Sequence, residues 1–140
     1  MMKTNLKLQS ILIALLLLLI LINSCRQIHV VDSKAEIVSR TIDATLNDSV
    51  LIYGYVYVAE SVVEVNYMPE PDASIWVEGT DFKTSSDIYG QFSLKVLPGT
   101  YTIKCLGPYS DPRFTAYLKG ISLSPNEKIK LQFYIGYIAE

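Results

Sequence analysis

The sequence predicts an all-β protein, a seven-stranded antiparallel β-sandwich that follows an apolar amino-terminal helix. Three observations lead there. Apolar residues after Ser49 recur at every second position, the side-chain period of a strand. Glycine, proline and aspartate cut these runs into short pieces, as chain reversals require. No long helical period follows residue 22, and no repeat of 20–50 residues is visible.

Residues 71–104 organise the rest. Residues 74–78 (SIWVE) are a β-branched and aromatic strand stopped by Gly79. Residues 87–90 (DIYG) form a turn. Residues 91–96 (QFSLKV) alternate, with Phe92, Leu94 and Val96 on one face. Leu97-Pro98-Gly99-Thr100 is a second turn, and residues 101–105 (YTIKC) place Tyr101, Ile103 and Cys105 together.

Three blocks here, PDASIWVEGT (71–80), DIYGQFSL (87–94) and VLPGTYTI (96–103), together with the earlier Gly54-Tyr55-Val56, resemble the carboxypeptidase regulatory-like (peptidase-associated, transthyretin-like) domain. The resemblance covers about residues 50–134. The link between Gly54 and Pro71 is longer than is usual in that family, and Asp72 stands where glycine is usual. The resemblance implies a seven-stranded transthyretin (prealbumin)-like sandwich and an accessory role without catalysis.

At the amino terminus, Lys3 and Lys7 precede twelve apolar residues, 11–22 (ILIALLLLLILI). As a helix these span about 18 Å, short of the ~30 Å hydrocarbon core. A basic start, a short apolar stretch and a small residue before the cut read as a secretory signal. Leu21-Ile22-Asn23-Ser24-Cys25 resembles a lipobox, which implies cleavage after Ser24 and a lipidated Cys25, thioether-linked to diacylglycerol and further acylated (palmitate). Two or three acyl chains hold a protein stably on a membrane, where one does not. The expected organisation is therefore residues 1–24 signal peptide, 25–48 tether and 49–140 sandwich. The tether is polar and lacks a steady period, although Ile37-Val38 and Thr41-Ile42 are apolar enough for a short strand. The expected address is the bacterial outer membrane, on its periplasmic face or at the cell surface.

Within the sandwich, residues 50–58 (VLIYGYVYV) alternate. Val50, Ile52, Gly54, Val56 and Val58 face the core, and Leu51, Tyr53, Tyr55 and Tyr57 face away. Gly54 marks a bulge or a close crossing. Residues 62–67 alternate more weakly. Residues 82–86 read as a polar edge strand and 114–123 as a further strand. Residues 128–138 close the domain, with Ile129, Leu131, Phe133 and Ile135 in phase. Trp76 is expected in the core or at its rim.

The residues for chemistry are sparse. His29 is the sole histidine and lies in the tether, so no Ser–His–Asp or Cys–His set is available on the sandwich. A single cysteine beyond Cys25 makes no zinc site. Cys105, alternating with Tyr101 and Ile103, reads as a small core residue. Glu70 and Asp72, and Asp81 and Asp87, sit in turns, where carboxylates cap backbone N–H groups. Residues 50–58 contain no lysine, which excludes a Lys–Asn isopeptide bond from the first strand. The expectation is no catalytic residue, no metal and no cofactor. A formal charge of −2, which becomes more negative when Lys3 and Lys7 leave, argues against nucleic acid as a partner.

The tyrosines are the remaining lead. Ten are present, and Tyr53, Tyr55 and Tyr57 share one face of one strand. Either they cover the sheet's outer face, or they sit under the tether or a long loop, or they form a recognition face. Two functions follow: a non-enzymatic, lipid-anchored envelope accessory module meeting a protein partner, or a surface lipoprotein that binds carbohydrate or another small ligand.

Overall fold

The computed structural model describes residues 2–22, 28–61 and 64–139. Cys25 and the expected cut after Ser24 lie outside them, as do Val62 and Val63. Met2–Ile22 form helix α1. Among the described residues no helix is long and apolar enough to cross a membrane.

Eleven strands follow among the described residues: β1 (His29–Val31), β2 (Lys34–Ile42), β3 (Val50–Ala59), β4 (Tyr67–Pro69), β5 (Ser74–Val77), β6 (Lys83–Ser85), β7 (Gln91–Val96), β8 (Gly99–Leu106), β9 (Ala116–Leu123), β10 (Glu127–Ile135) and β11 (Tyr137–Ala139). They make an all-β sandwich. One sheet runs β2-β10-β3, and β3 then pairs with β7 along residues 50–55 and with β4 along 57–59. The facing sheet has the order β6-β5-β8-β9, and β1 and β11 form a separate pair.

The alternation in the sequence is the burial pattern of the strands. Val50, Ile52 and Val56 of β3, Phe92, Leu94 and Val96 of β7, and Ile129, Leu131, Phe133 and Ile135 of β10 point inward. Ile75 and Val77 of β5, Ile103 and Cys105 of β8, and Ile121 and Leu123 of β9 meet them from the other sheet. Each fully buried aliphatic or aromatic side chain is worth about 1.5–3 kcal/mol in transfer from water. The turn at 87–90 closes on itself: Asp87 Oδ1 accepts from Tyr89 N and Gln91 N, both at 2.9 Å, and Gly90 takes φ +73°. Tyr101 Oη donates to the Leu97 carbonyl at 3.1 Å and ties down the next turn.

The structure corrects the expected strand plan in four places. The fold is not a seven-stranded, wholly antiparallel sandwich, because β10 lies parallel to β3 along residues 128–135. Parallel neighbours need a long crossover, and here the crossover contains β4 to β9. The expected tether at 25–48 is largely folded: β2 pairs antiparallel with β10, and β1 with β11. Of the strand expected over 62–67, Val62 and Val63 lie outside the described residues, residues 64–66 form no strand, and β4 begins only at Tyr67. The closing strand breaks at Gly136, where an added Cβ would lie 1.8 Å from the Val31 carbonyl oxygen, so the chain passes close to β1 there.

Gly54 is a close crossing. A Cβ built there would sit 1.7 Å from the Leu131 carbonyl oxygen, and its φ of +153° is one that side chains rarely adopt. Leu131 is its partner across the parallel pair. Trp76 is outside the core: Ile75 and Val77 take the inner face of β5, so alternation turns Trp76 outward, half-buried on the other sheet.

Candidate functional site

The outward faces of β3, β10 and β7 form one grid. Strand pairing fixes its rows. Lys128, Leu51 and Lys95 occupy the first, and Lys130, Tyr53 and Ser93 the second. Gln132, Tyr55 and Gln91 make the third, and Tyr134 and Tyr57 the fourth. The three tyrosines singled out from the sequence are thus brought together with two that sequence reading missed, Tyr134 of β10 and Tyr67 of β4. Tyr134 was in phase with the outward residues of its strand. Its place beside Tyr57 depends on a pairing between residues far apart in the chain.

The rings stack on each other. Tyr55 and Tyr57 have centroids 6.0 Å apart with planes at 17°. Tyr57 and Tyr134 are 5.5 Å apart at 23°, and Tyr67 meets Tyr134 edge-on at 4.8 Å. Such pairs add about 0.5–1.5 kcal/mol beyond area burial. Lysines stand over three of the rings: Lys34 Nζ lies 4.6 Å from the Tyr134 centroid, Lys128 Nζ 5.1 Å from Tyr53, and Lys130 Nζ 5.5 Å from Tyr55. Tyr53, Tyr55 and Tyr57 all remain half-buried. The segment expected to shield them does not lie over them, because β2 runs beside β10 within the sheet.

The polar groups here are mainly donors. Gln91 Nε2 donates to Tyr55 Oη at 3.2 Å, which leaves the Tyr55 proton to point elsewhere. Tyr134 Oη donates to Gln132 Oε1 at 2.8 Å, and burial pushes its pKa up. Lys34 pairs with Glu36 at 3.0 Å. Among the described residues Lys95, Lys128 and Lys130 form no ion pair. Asp43 is near enough to Lys128 to feel its charge, but its Oδ1 accepts from Thr45 N and Thr45 Oγ1. Four lysines against one glutamate therefore face outward from these strands, in a chain of net negative charge. The sequence shows no basic cluster; strand pairing assembles one. A groove of about 500 Å³ crosses it, walled by Tyr53, Tyr55, Gln91, Ser93, Lys128 and Lys130.

A second cleft, of about 540 Å³, lies between the loop after β8 and β11. The Glu70 carboxylate opens into it with no hydrogen bond or ion pair among the described residues, while its backbone N–H donates to the Val56 carbonyl and its carbonyl accepts from Ser86 Oγ; burial raises its pKa. Asp111 is held by Arg113 at 3.0 Å. Among the described residues no three His, Cys, Asp or Glu side chains come together as metal ligands. His29 is exposed on β1. Cys105 is fully buried, and burial raises its pKa far above the ordinary thiol value.

No protein-family model matches the chain, and no curated protein matches it significantly.

Proposed function

We propose that this chain is a non-enzymatic binding module of the bacterial cell envelope, held at the outer membrane by lipid on Cys25 and meeting a partner protein through the tyrosine face. The observation that carries the reading is the ladder of five tyrosines across three strands, half-exposed and continuous with a groove. Tyrosine offers large contact area with a polar tip and little rotamer entropy to lose, which suits a recognition surface. The basic, apolar and lipobox-like amino terminus supports the address. The resemblance of residues 71–103 to carboxypeptidase regulatory-like domains supports the accessory role.

Ring orientation favours protein over carbohydrate. A sugar stacks on an exposed aromatic face, and here Tyr57 lies between the rings of Tyr55 and Tyr134, while Lys128, Lys130 and Lys34 stand over Tyr53, Tyr55 and Tyr134 in turn. The test is in-cell photo-cross-linking from position 93, with the adducts identified by mass. Replacing Tyr53, Tyr55 and Tyr57 with serine is expected to remove a specific protein adduct while the circular dichroism spectrum is retained. Unchanged adducts in that variant, or saturable binding to a glycan panel that the variant loses, would overturn the reading.

A further inference from the structure

Resting on that reading, we propose that the groove between β10 and β7 takes an extended, carboxylate-rich segment of the partner protein. Three features of the groove point to this chemistry.

Its charge is the first. Lys128 and Lys130 of β10 and Lys95 of β7 project from the same face, and none has an ion-pair partner among the described residues. Lys128 and Lys95 stand in one row, separated by Leu51 of β3. Adjacent strands lie about 4.8 Å apart, so these two lysines rise from strands roughly 10 Å apart; Lys128 and Lys130 line the groove itself, and Lys95 stands on the same face outside its lining. An acidic segment lying in the groove is met by positive charge along its β10 side, with Lys95 adding to the field of the same face, whereas a basic or neutral segment gains nothing from it.

Hydrogen-bonding sense is the second. Lys128 and Lys130 can only donate. Tyr55 has its acceptor side occupied by Gln91 Nε2, so its proton is left for an outside acceptor. Tyr53 and Ser93 add two hydroxyls in the intervening row. The acid at the groove's end, Asp87, already accepts from two backbone N–H groups of its own turn. A ligand rich in acceptors and poor in donors matches this lining.

Spacing is the third. Lys128 and Lys130 are two residues apart on one strand, which sets their Cα atoms about 6.8 Å apart. An extended peptide directs alternate side chains to one side with the same repeat. A chain lying along β10 with an acid at every second position brings successive carboxylates to successive lysines.

The experiment measures binding of a fluorescent ten-residue peptide of alternating glutamate and threonine to the full chain in detergent. The comparison probes are its lysine–threonine counterpart, polygalacturonate and short-chain phosphatidylglycerol. The glutamate peptide is expected to bind, and to weaken severalfold when salt rises from 50 to 200 mM, as a screened charge interaction does. The double variant Lys128→Glu with Lys130→Glu is expected to bind at least ~10-fold more weakly, while Lys119→Glu on β9 leaves affinity unchanged. No binding of the glutamate peptide, equal binding by the double variant, or tighter binding of polygalacturonate or phosphatidylglycerol overturns the proposal. If the cross-linked partner is lost on serine replacement of the three tyrosines but kept by the lysine double variant, the binding-module reading stands and the acidic segment falls.

Discussion

Arg40 and Glu127 join the edge strand β2 to the start of β10. Arg40 Nε donates to Glu127 Oε1, and Arg40 Nη2 reaches the Ser122 carbonyl of β9. Glu127 also accepts from Ser124 N at 2.8 Å through its other oxygen. Its side chain is 7% exposed and that of Arg40 42%. One guanidinium from the segment read as a tether thus contacts β10 and, through Ser122, the facing sheet.

Removing that guanidinium leaves a buried carboxylate with one backbone donor. Arg40→Ala is expected to cost about 2–3 kcal/mol, below the ~3–5 kcal/mol for breaking a fully buried pair, because Arg40 is itself partly solvated. The Arg40 hydrogen bond holds the Glu127 pKa below the ordinary glutamate value. Its contribution is therefore present above that value and is lost as pH falls through the lower, folded one. Urea unfolding at pH 7 and pH 3 checks both points: wild type loses this increment on acidification, and the variant has none to lose.

Gly54→Ala is expected to cost more than about 4 kcal/mol or to prevent folding. Its Cβ would overlap the Leu131 carbonyl oxygen, which belongs to backbone in the centre of the sheet and cannot rotate aside. A urea midpoint within about 1 kcal/mol of wild type would show that β3 and β10 separate more easily than their packing implies.

Glu70→Gln is expected to stabilise slightly, by under about 0.5 kcal/mol at pH 7. Burial raises the Glu70 pKa, so the native state holds the proton more tightly than the unfolded chain. Stability then falls as pH rises through the glutamate range, and the neutral amide escapes that loss. Thermal melts at pH 7 and pH 3 test it, since the gain should vanish at the lower pH.

Cys105 is expected to resist thiol reagents in the native protein and to react fully in 6 M urea. The thiol is sealed in the core, and its raised pKa leaves almost no thiolate at neutral pH. A disulfide-exchange reagent followed by absorbance distinguishes the two states. Rapid native labelling would mean that β8 opens readily.

Intact-mass analysis of protein from its native membrane is expected to show loss of residues 1–24 and a diacylglycerol-bearing, acylated Cys25. A free thiol there would remove the proposed anchor.

Much of the fold is legible in the sequence because β3, β7 and β10 each have one dry face and one wet face. A strand in that position must alternate, so Ile52, Leu94 and Leu131 declare their side without any knowledge of their neighbours. The 87–90 turn is equally local, resting on the Asp87 side chain and a left-handed Gly90. β2 is legible only in fragments, at Ile37-Val38 and Thr41-Ile42, for the opposite reason. It is an edge strand with Ile37, Val38 and Ile42 all exposed, so neither face imposes a period, and its identity comes from pairing with β10 some ninety residues later.

The same division runs through the candidate site. The sequence by itself determined that Tyr53, Tyr55 and Tyr57 share a face, since the two-residue repeat of a strand is a property of the backbone. Only the tertiary structure decided which strands stand beside them. By laying β10 parallel to β3, it set Tyr134 against Tyr57 and brought Lys128 and Lys130 over Tyr53 and Tyr55. Those lysines alternate with core residues in the chain and make no cluster there. They become one basic face because hydrogen-bonded strands lie about 4.8 Å apart, closer than any spacing in the sequence suggests.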